Sequence, residues 1–121
     1  MAVQIDATRQ IMADAYKNIA TSGAPWIALH TGNPGTTGAN EATGGSPAYA
    51  RKQTTFTSGT TGTLSGTAVT IDVPAGTYTH ASLHKTAAGT GASDIIDWVP
   101  ITSTTLGAQG QIVVTPSFVQ S

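Results

Sequence analysis

The stretch Thr67-Ala68-Val69-Thr70-Ile71-Asp72-Val73-Pro74-Ala75-Gly76 decides the fold class. Thr67, Val69, Ile71 and Val73 alternate with Ala68, Thr70 and Asp72, the period-two pattern of a β-strand with one dry face. Pro74-Ala75-Gly76 is turn chemistry and returns the chain into a second strand, Thr77 to Lys85. Toward the C-terminus, Ala87-Ala88-Gly89-Thr90-Gly91 closes another hairpin into Ile95–Ile101. A last strand, Gln111–Thr115, is expected to continue past Pro116 through Phe118 and Val119. Toward the N-terminus, Ser58-Gly59-Thr60-Thr61-Gly62 is a turn and Tyr49–Phe56 reads as a strand. Trp26-Ile27-Ala28-Leu29-His30-Thr31, bounded by Pro25 and Gly32, reads as a buried strand. Between these two lies Gly32–Pro47, a sixteen-residue polar loop of the kind that has a task of its own or a partner.

Turn signals recur about every 8–15 residues through this region, as in all-β sandwiches and barrels. Pro100 and Pro116 cannot donate to a ladder, so their strands belong at a sheet edge or in a bulge. One segment alone has a helical period. Ile11, Met12, Ala15, Tyr16 and Ile19 share an arc opposite Gln10, Asp14, Lys17 and Asn18, which predicts a helix over about Ala7–Ala20 with Asp6 as N-cap. Gly23 and Pro25 stop it. The apolar arc is expected to pack on the sheet of its own chain, the alternative being a second subunit. The expected architecture is mostly β: a single antiparallel β-sandwich or barrel-like domain with one N-terminal α-helix. Residues 1–24 would form the helix and lead-in, and 25–121 a β domain carrying loop 32–47.

Composition narrows the function classes. The 121 residues carry 5 Lys+Arg, 6 Asp+Glu and a formal charge of -1; charged residues make up 9%, against about 25% in ordinary soluble domains. The five basic residues, Arg9, Lys17, Arg51, Lys52 and Lys85, do not form the cluster that phosphate neutralisation needs, which argues against nucleic-acid binding. There is no cysteine, hence no disulfide, thiolate nucleophile or cysteine zinc site. The N-terminus lacks the pattern of a signal peptide, and no run approaches the roughly 18 apolar residues of a membrane span. With 14 Gly and 22 Thr, the chain suits strands joined by turns. A lean core with few charges suggests burial completed against neighbours.

No catalytic, cofactor or metal signature emerges. His80 and His84, four apart on a strand, are separated by roughly 13 Å, too far to share a zinc ion; they read as half-exposed strand histidines. Asp72, Asp94 and Asp97 lie in no recognised acid–base motif. A Gly-x-Ser-x-Gly elbow is missing, and Gly32-Asn33-Pro34-Gly35 lacks the lysine of a phosphate loop. An enzyme would need a pocket joining His30 or His80 to a carboxylate. Trp26 and Trp98 are read as core residues, although with Tyr49 and Tyr78 they are the aromatic faces a glycan would use.

The most informative constellation is Leu29-His30-Thr31-Gly32-Asn33-Pro34-Gly35, then Gly38-Ala39-Asn40-Glu41, Gly44-Gly45 and Tyr49-Ala50-Arg51. It describes a strand leaving into a structured loop and returning, with His30, Gly32, Pro34, Gly35, Asn40, Glu41, Tyr49 and Arg51 as its motif residues. Asn40 can bond backbone in a turn, and Glu41 and Arg51 are expected to pin the loop shut. This run, Ala28 to Arg51, resembles small virion structural proteins of tailed bacteriophages, particularly those infecting actinobacteria, which carry tail-fibre-like or minor capsid labels. The closing segment Gly107–Ser117 and Thr79-His80 before a Gly-rich hairpin are similar as well. The resemblance implies a structural role in the virion and supplies no catalytic residue or cofactor. Its leading form is a capsid decoration protein binding the major capsid protein and copies of itself, as a homo-oligomer such as a trimer, away from nucleic acid and membrane. The alternative is a tail-fibre or minor tail protein that attaches to host glycans.

Overall fold

The computed structural model describes residues 2–20 and 23–121. One helix, α1 (Asp6–Lys17), precedes nine strands: β1 (Trp26–His30), β2 (Lys52–Gln53), β3 (Phe56–Ser58), β4 (Thr63–Gly66), β5 (Val69–Val73), β6 (Gly76–His84), β7 (Ile95–Leu106), β8 (Gly110–Val114) and β9 (Ser117–Val119). All pairings are antiparallel. They build sheets of order β2-β1-β6-β7, β3-β4-β9 and β5-β8. The architecture is mostly β, with antiparallel sheets packed together in a sandwich-like way.

Alternation in β5 places Val69, Ile71 and Val73 inward, where they meet Ile27, Leu29, Tyr78 and Ala81 from the four-stranded sheet. Burying each of these large aliphatic side chains is worth about 1.5–3 kcal/mol. A second cluster joins Ala13 of α1 to Phe56 and Leu64, with Tyr16 stacked on Phe118 at a centroid distance of 3.9 Å. Opposed residues share a face of a sheet, so the register Ala28↔Ser82, Trp26↔His84 and His30↔His80 sets Ala28, His30, Ser82 and His84 on the face away from this core.

Several sequence expectations need correction. The helix spans Asp6–Lys17, and its N-cap is Ile5 without a side-chain cap; Asp6 lies in the first turn and bonds Arg9. Only part of the apolar arc faces the sheet: Tyr16 packs on Phe56 and Phe118, whereas Ile11, Met12 and Ile19 are 69%, 41% and 47% exposed. Polar chemistry turned the helix over. Gln10 accepts from the Gly62 and Thr63 amides and donates to the Thr63 carbonyl, Lys17 donates to Ser58, and Ser58 donates to Asp14. The small Ala13 lets the backbones approach. The expected strand Tyr49–Phe56 is reduced to Lys52–Gln53 and a separate Phe56–Ser58, because Tyr49 and Arg51 turn into the loop network instead of a ladder. The final strand does not continue through Pro116. It breaks at Thr115–Pro116, with β8 on β5 and β9 crossing to β4, a switch that the missing proline donor favours. β7 runs on through Pro100 to Leu106 as a sheet edge, the position proline tolerates. Both tryptophans are half-buried, Trp98 edge-on to His80 at 5.4 Å.

Candidate functional site

Loop 31–51 folds back over the outer face of β1 and β6. The Thr31 amide donates to the Asn40 carbonyl and the Ala42 amide to the Leu29 carbonyl, each at 2.9 Å. Asn40 sits at φ 62°, a left-handed conformation asparagine tolerates, and its Nδ2 donates to the Asn33 carbonyl at 3.0 Å. The Asn33 side chain in turn accepts from the Gly35 amide, and Pro34 is buried beneath the turn. Gly38 has φ 76°, and a Cβ there would stand 3.1 Å from His84 Cε1, so this glycine lets the loop lie on the histidine. Gly32 packs against the Asn40 side chain.

Glu41 and Arg51 close the loop. Arg51 Nε and Nη2 donate to Glu41 Oε2 and Oε1, both at 2.8 Å, a bidentate pair. The remaining guanidinium hydrogens go to Asp94 Oδ2 at 3.1 Å and to the Thr86 and Gly89 carbonyls at 3.0 and 2.8 Å, so all five donors are engaged. Tyr49 donates its hydroxyl hydrogen to Glu41 at 2.7 Å and accepts from the Leu29 amide at 3.2 Å. Asp94 also accepts from the Thr86 hydroxyl at 2.7 Å. This arginine therefore staples loop 31–51 to turn 85–94.

The network continues inward through His84, whose Nδ1 lies 3.0 Å from Asp94 Oδ2 and whose Nε2 lies 2.7 Å from Ser82 Oγ. Ser82 Oγ is equally 2.7 Å from His30 Nε2, and His30 Nδ1 is 2.8 Å from the Ala39 carbonyl. The expectation of half-exposed strand histidines thus fails for His84, which is buried with His30; His80 is the partly exposed one and bonds Thr79. Ser82 escaped the sequence reading, and His84 and Asp94 were weighed there only as separate candidates and not joined to each other. The i, i+2 spacing of Ser82 and His84 on a strand was the available signal, but the covering loop that buries them was not legible.

Burial works against the Glu41 and Asp94 carboxylates, yet hydrogen bonds from Arg51 and Tyr49 to the one, and from Thr86, His84 and Arg51 to the other, hold both pKa values below the ordinary range. Burial, followed by the bond to Glu41, raises the Tyr49 phenol. For His30 and His84 burial is the largest influence and lowers the imidazole pKa, opposed by the Ala39 carbonyl and by Asp94 respectively.

Ser82-His84-Asp94 has the atom order of a nucleophilic triad. Its serine, however, is 3% exposed and its oxygen already lies against two imidazoles, so a substrate has no approach to it. The shallow depression beside Arg51, lined by Ala42, Tyr49, Ala50 and Ala87, reaches a guanidinium with no free donor for an anion. A cleft of about 300 Å³ lies elsewhere, between β7 and β8–β9, lined by Tyr16, Ile27, Leu83, Val99 and Phe118 with Asp97. No group of three potential metal ligands occurs among the described residues.

The polar centre of this β-rich framework is sealed under a stapled loop, an arrangement that serves the fold itself. The family comparison agrees: the model of the Podophage GP4 fiber I protein gp80 family matches residues 6–116, and the chain belongs to that family. A structural role in the phage virion follows. Neither the curated proteins nor the solved structures contain a match.

Proposed function

We propose that the chain is a fibre component of a tailed phage, holding its place through contacts with copies of itself and with neighbouring virion chains. The family match over residues 6–116 is the observation that carries this reading. It favours the tail-fibre alternative over capsid decoration, the reading that led from the sequence. An actinobacterial host rests on the resemblance of the loop motif alone.

Surface chemistry supports association. Ile11, Met12 and Ile19 present apolar surface that the chain itself does not cover. With 9% charged residues, contact between copies desolvates few ions. Many modest contacts along a repeating assembly add up through avidity. Antibody labelling of intact particles tests the location: label at the tail is expected, and label spread over the capsid shell would return the protein to decoration. Sedimentation tests self-association, with an oligomer expected for the native chain and a monomer for Ile11→Lys. A native chain that stays monomeric at all concentrations would refute the homotypic part.

A further inference from the structure

The contacts from the Ala39 carbonyl to Asp94 form an unbranched relay of four hydrogen bonds: Ala39 O with His30 Nδ1, His30 Nε2 with Ser82 Oγ, Ser82 Oγ with His84 Nε2, and His84 Nδ1 with Asp94 Oδ2, at 2.8, 2.7, 2.7 and 3.0 Å. Each bond needs its own hydrogen. A neutral histidine brings one and a serine hydroxyl one, so two neutral imidazoles and Ser82 bring three. The chain ends on acceptors at both termini, since a carbonyl and a carboxylate have no hydrogen to give. One contact of a neutral relay would therefore set two lone pairs against each other.

We propose that the His30–Ser82–His84 relay holds one proton beyond those of its neutral groups, and that this proton latches loop 31–51 onto the sheet at neutral pH. Charge balance points the same way. The groups facing the relay are Glu41, Tyr49 and Arg51 from the loop, Thr86 and Asp94 from the turn, and the relay's own residues from β1 and β6. Two carboxylates against one guanidinium leave the cluster one negative charge, which an imidazolium cancels. Burial of the rings and the positive charge of Arg51 both push the imidazole pKa down and oppose that charge, but a neutral relay leaves a broken contact in a site whose side-chain polar atoms are otherwise all partnered. His84 is the better seat for it, because it abuts Asp94, whereas the His30 ring is 6.3 Å from the His84 ring, on the far side of Ser82. The proton does not belong on Asp94, which also accepts from Arg51 and Thr86.

Linkage sets the sign. A proton held by the folded chain and released on unfolding gives stability that is complete at mildly acidic pH and declines as pH rises through the relay's folded pKa. The chain has no cysteine, and its three tyrosines are raised above their ordinary value, so pH 7–9 is free of those ionisations. Denaturant unfolding of the full chain across this window should show the folding constant falling by up to tenfold per pH unit until the proton is lost. His84→Gln should flatten that dependence. Nitrogen chemical shifts of the histidine rings in the native chain at pH 7.5 should show one imidazole protonated at both nitrogens, a readout that does not depend on a variant folding. A folding constant that is level or rising from pH 7 to 9, a slope that survives His84→Gln, or singly protonated rings throughout would each overturn the proposal.

Discussion

Arg51→Gln is the perturbation on which the stapled loop stands or falls. The side chain of Arg51 is 4% exposed and that of Asp94 8%. Replacing the guanidinium takes that cation from Glu41 and Asp94 and its donors from the Thr86 and Gly89 carbonyls. Breaking a buried ion pair by removing one partner costs about 3–5 kcal/mol. For 121 residues the unfolding entropy is about 0.25 kcal/mol/K, so the melting temperature should fall by about 12–20 °C. Glu41→Gln should cost less, about 1–3 kcal/mol, because Glu41 is partly exposed and the amide still accepts one bond. Arg51→Lys keeps the charge but loses the fork, and should fall between the two. Thermal unfolding by circular dichroism measures all three, and limited proteolysis reports whether cleavage begins within 31–51. An Arg51→Gln chain melting within about 4 °C of the native one, with the loop still protected, would refute the staple, since that shift corresponds to about 1 kcal/mol.

The remaining predictions concern the same loop and its titrating groups. Tyr49→Phe removes the bonds to Glu41 and the Leu29 amide and should cost about 1–3 kcal/mol in denaturant unfolding. Gly38→Ala should destabilise by about 1–2 kcal/mol from its positive φ alone, with the contact to His84 adding to it. Glu41 and Asp94 have folded pKa values below their ordinary 4.5 and 3.8, so the stability they contribute is present above those values and lost as pH falls through the folded ones. Acid unfolding should therefore begin below about pH 4.5, and Glu41→Gln should make the profile shallower. Tyr16, Tyr49 and Tyr78 are all raised above 10.0, so tyrosinate absorbance should lag behind that of free tyrosine above pH 10 and appear with unfolding.

Strand chemistry was the most legible part of this molecule. Val69, Ile71 and Val73 alternate cleanly because one face of β5 meets a core and the other meets solvent. The run Trp26–Thr31 matched β1 for the related reason that it is the central, doubly covered part of its sheet. Short strands were legible only as parts of longer ones: Lys52–Gln53 lies within the expected Tyr49–Phe56 and Ser117–Val119 within the expected continuation past Pro116, but two or three residues carry no period of their own, so their bounds and ladder partners were not legible. The Glu41–Arg51 spacing could be seen in the sequence. Asp94, which shares the guanidinium from 43 positions away, could not. Nor could the burial of His84, since a strand histidine becomes interior only when a loop from elsewhere in the chain lies over it.

The helix shows how a correct local reading can point outward. Its period and apolar arc were plain in the sequence, yet of that arc Tyr16 alone packs on the aromatic cluster, and the helix is otherwise docked by Gln10, Lys17 and Asp14, on the arc read as solvent-facing. Gln10 wins because it satisfies the Gly62 and Thr63 amides and the Thr63 carbonyl together, and unsatisfied backbone groups in a contact cost about 1–3 kcal/mol each. Rotating α1 to bury Ile11 and Met12 would forfeit all three bonds and put larger side chains where the small Ala13 now meets Phe56 and Leu64. Within one chain, then, the polar docking is the more favourable choice and leaves Ile11, Met12 and Ile19 uncovered. An additional surface over those side chains would gain their burial without disturbing Gln10, which is the condition the proposed self-association sets.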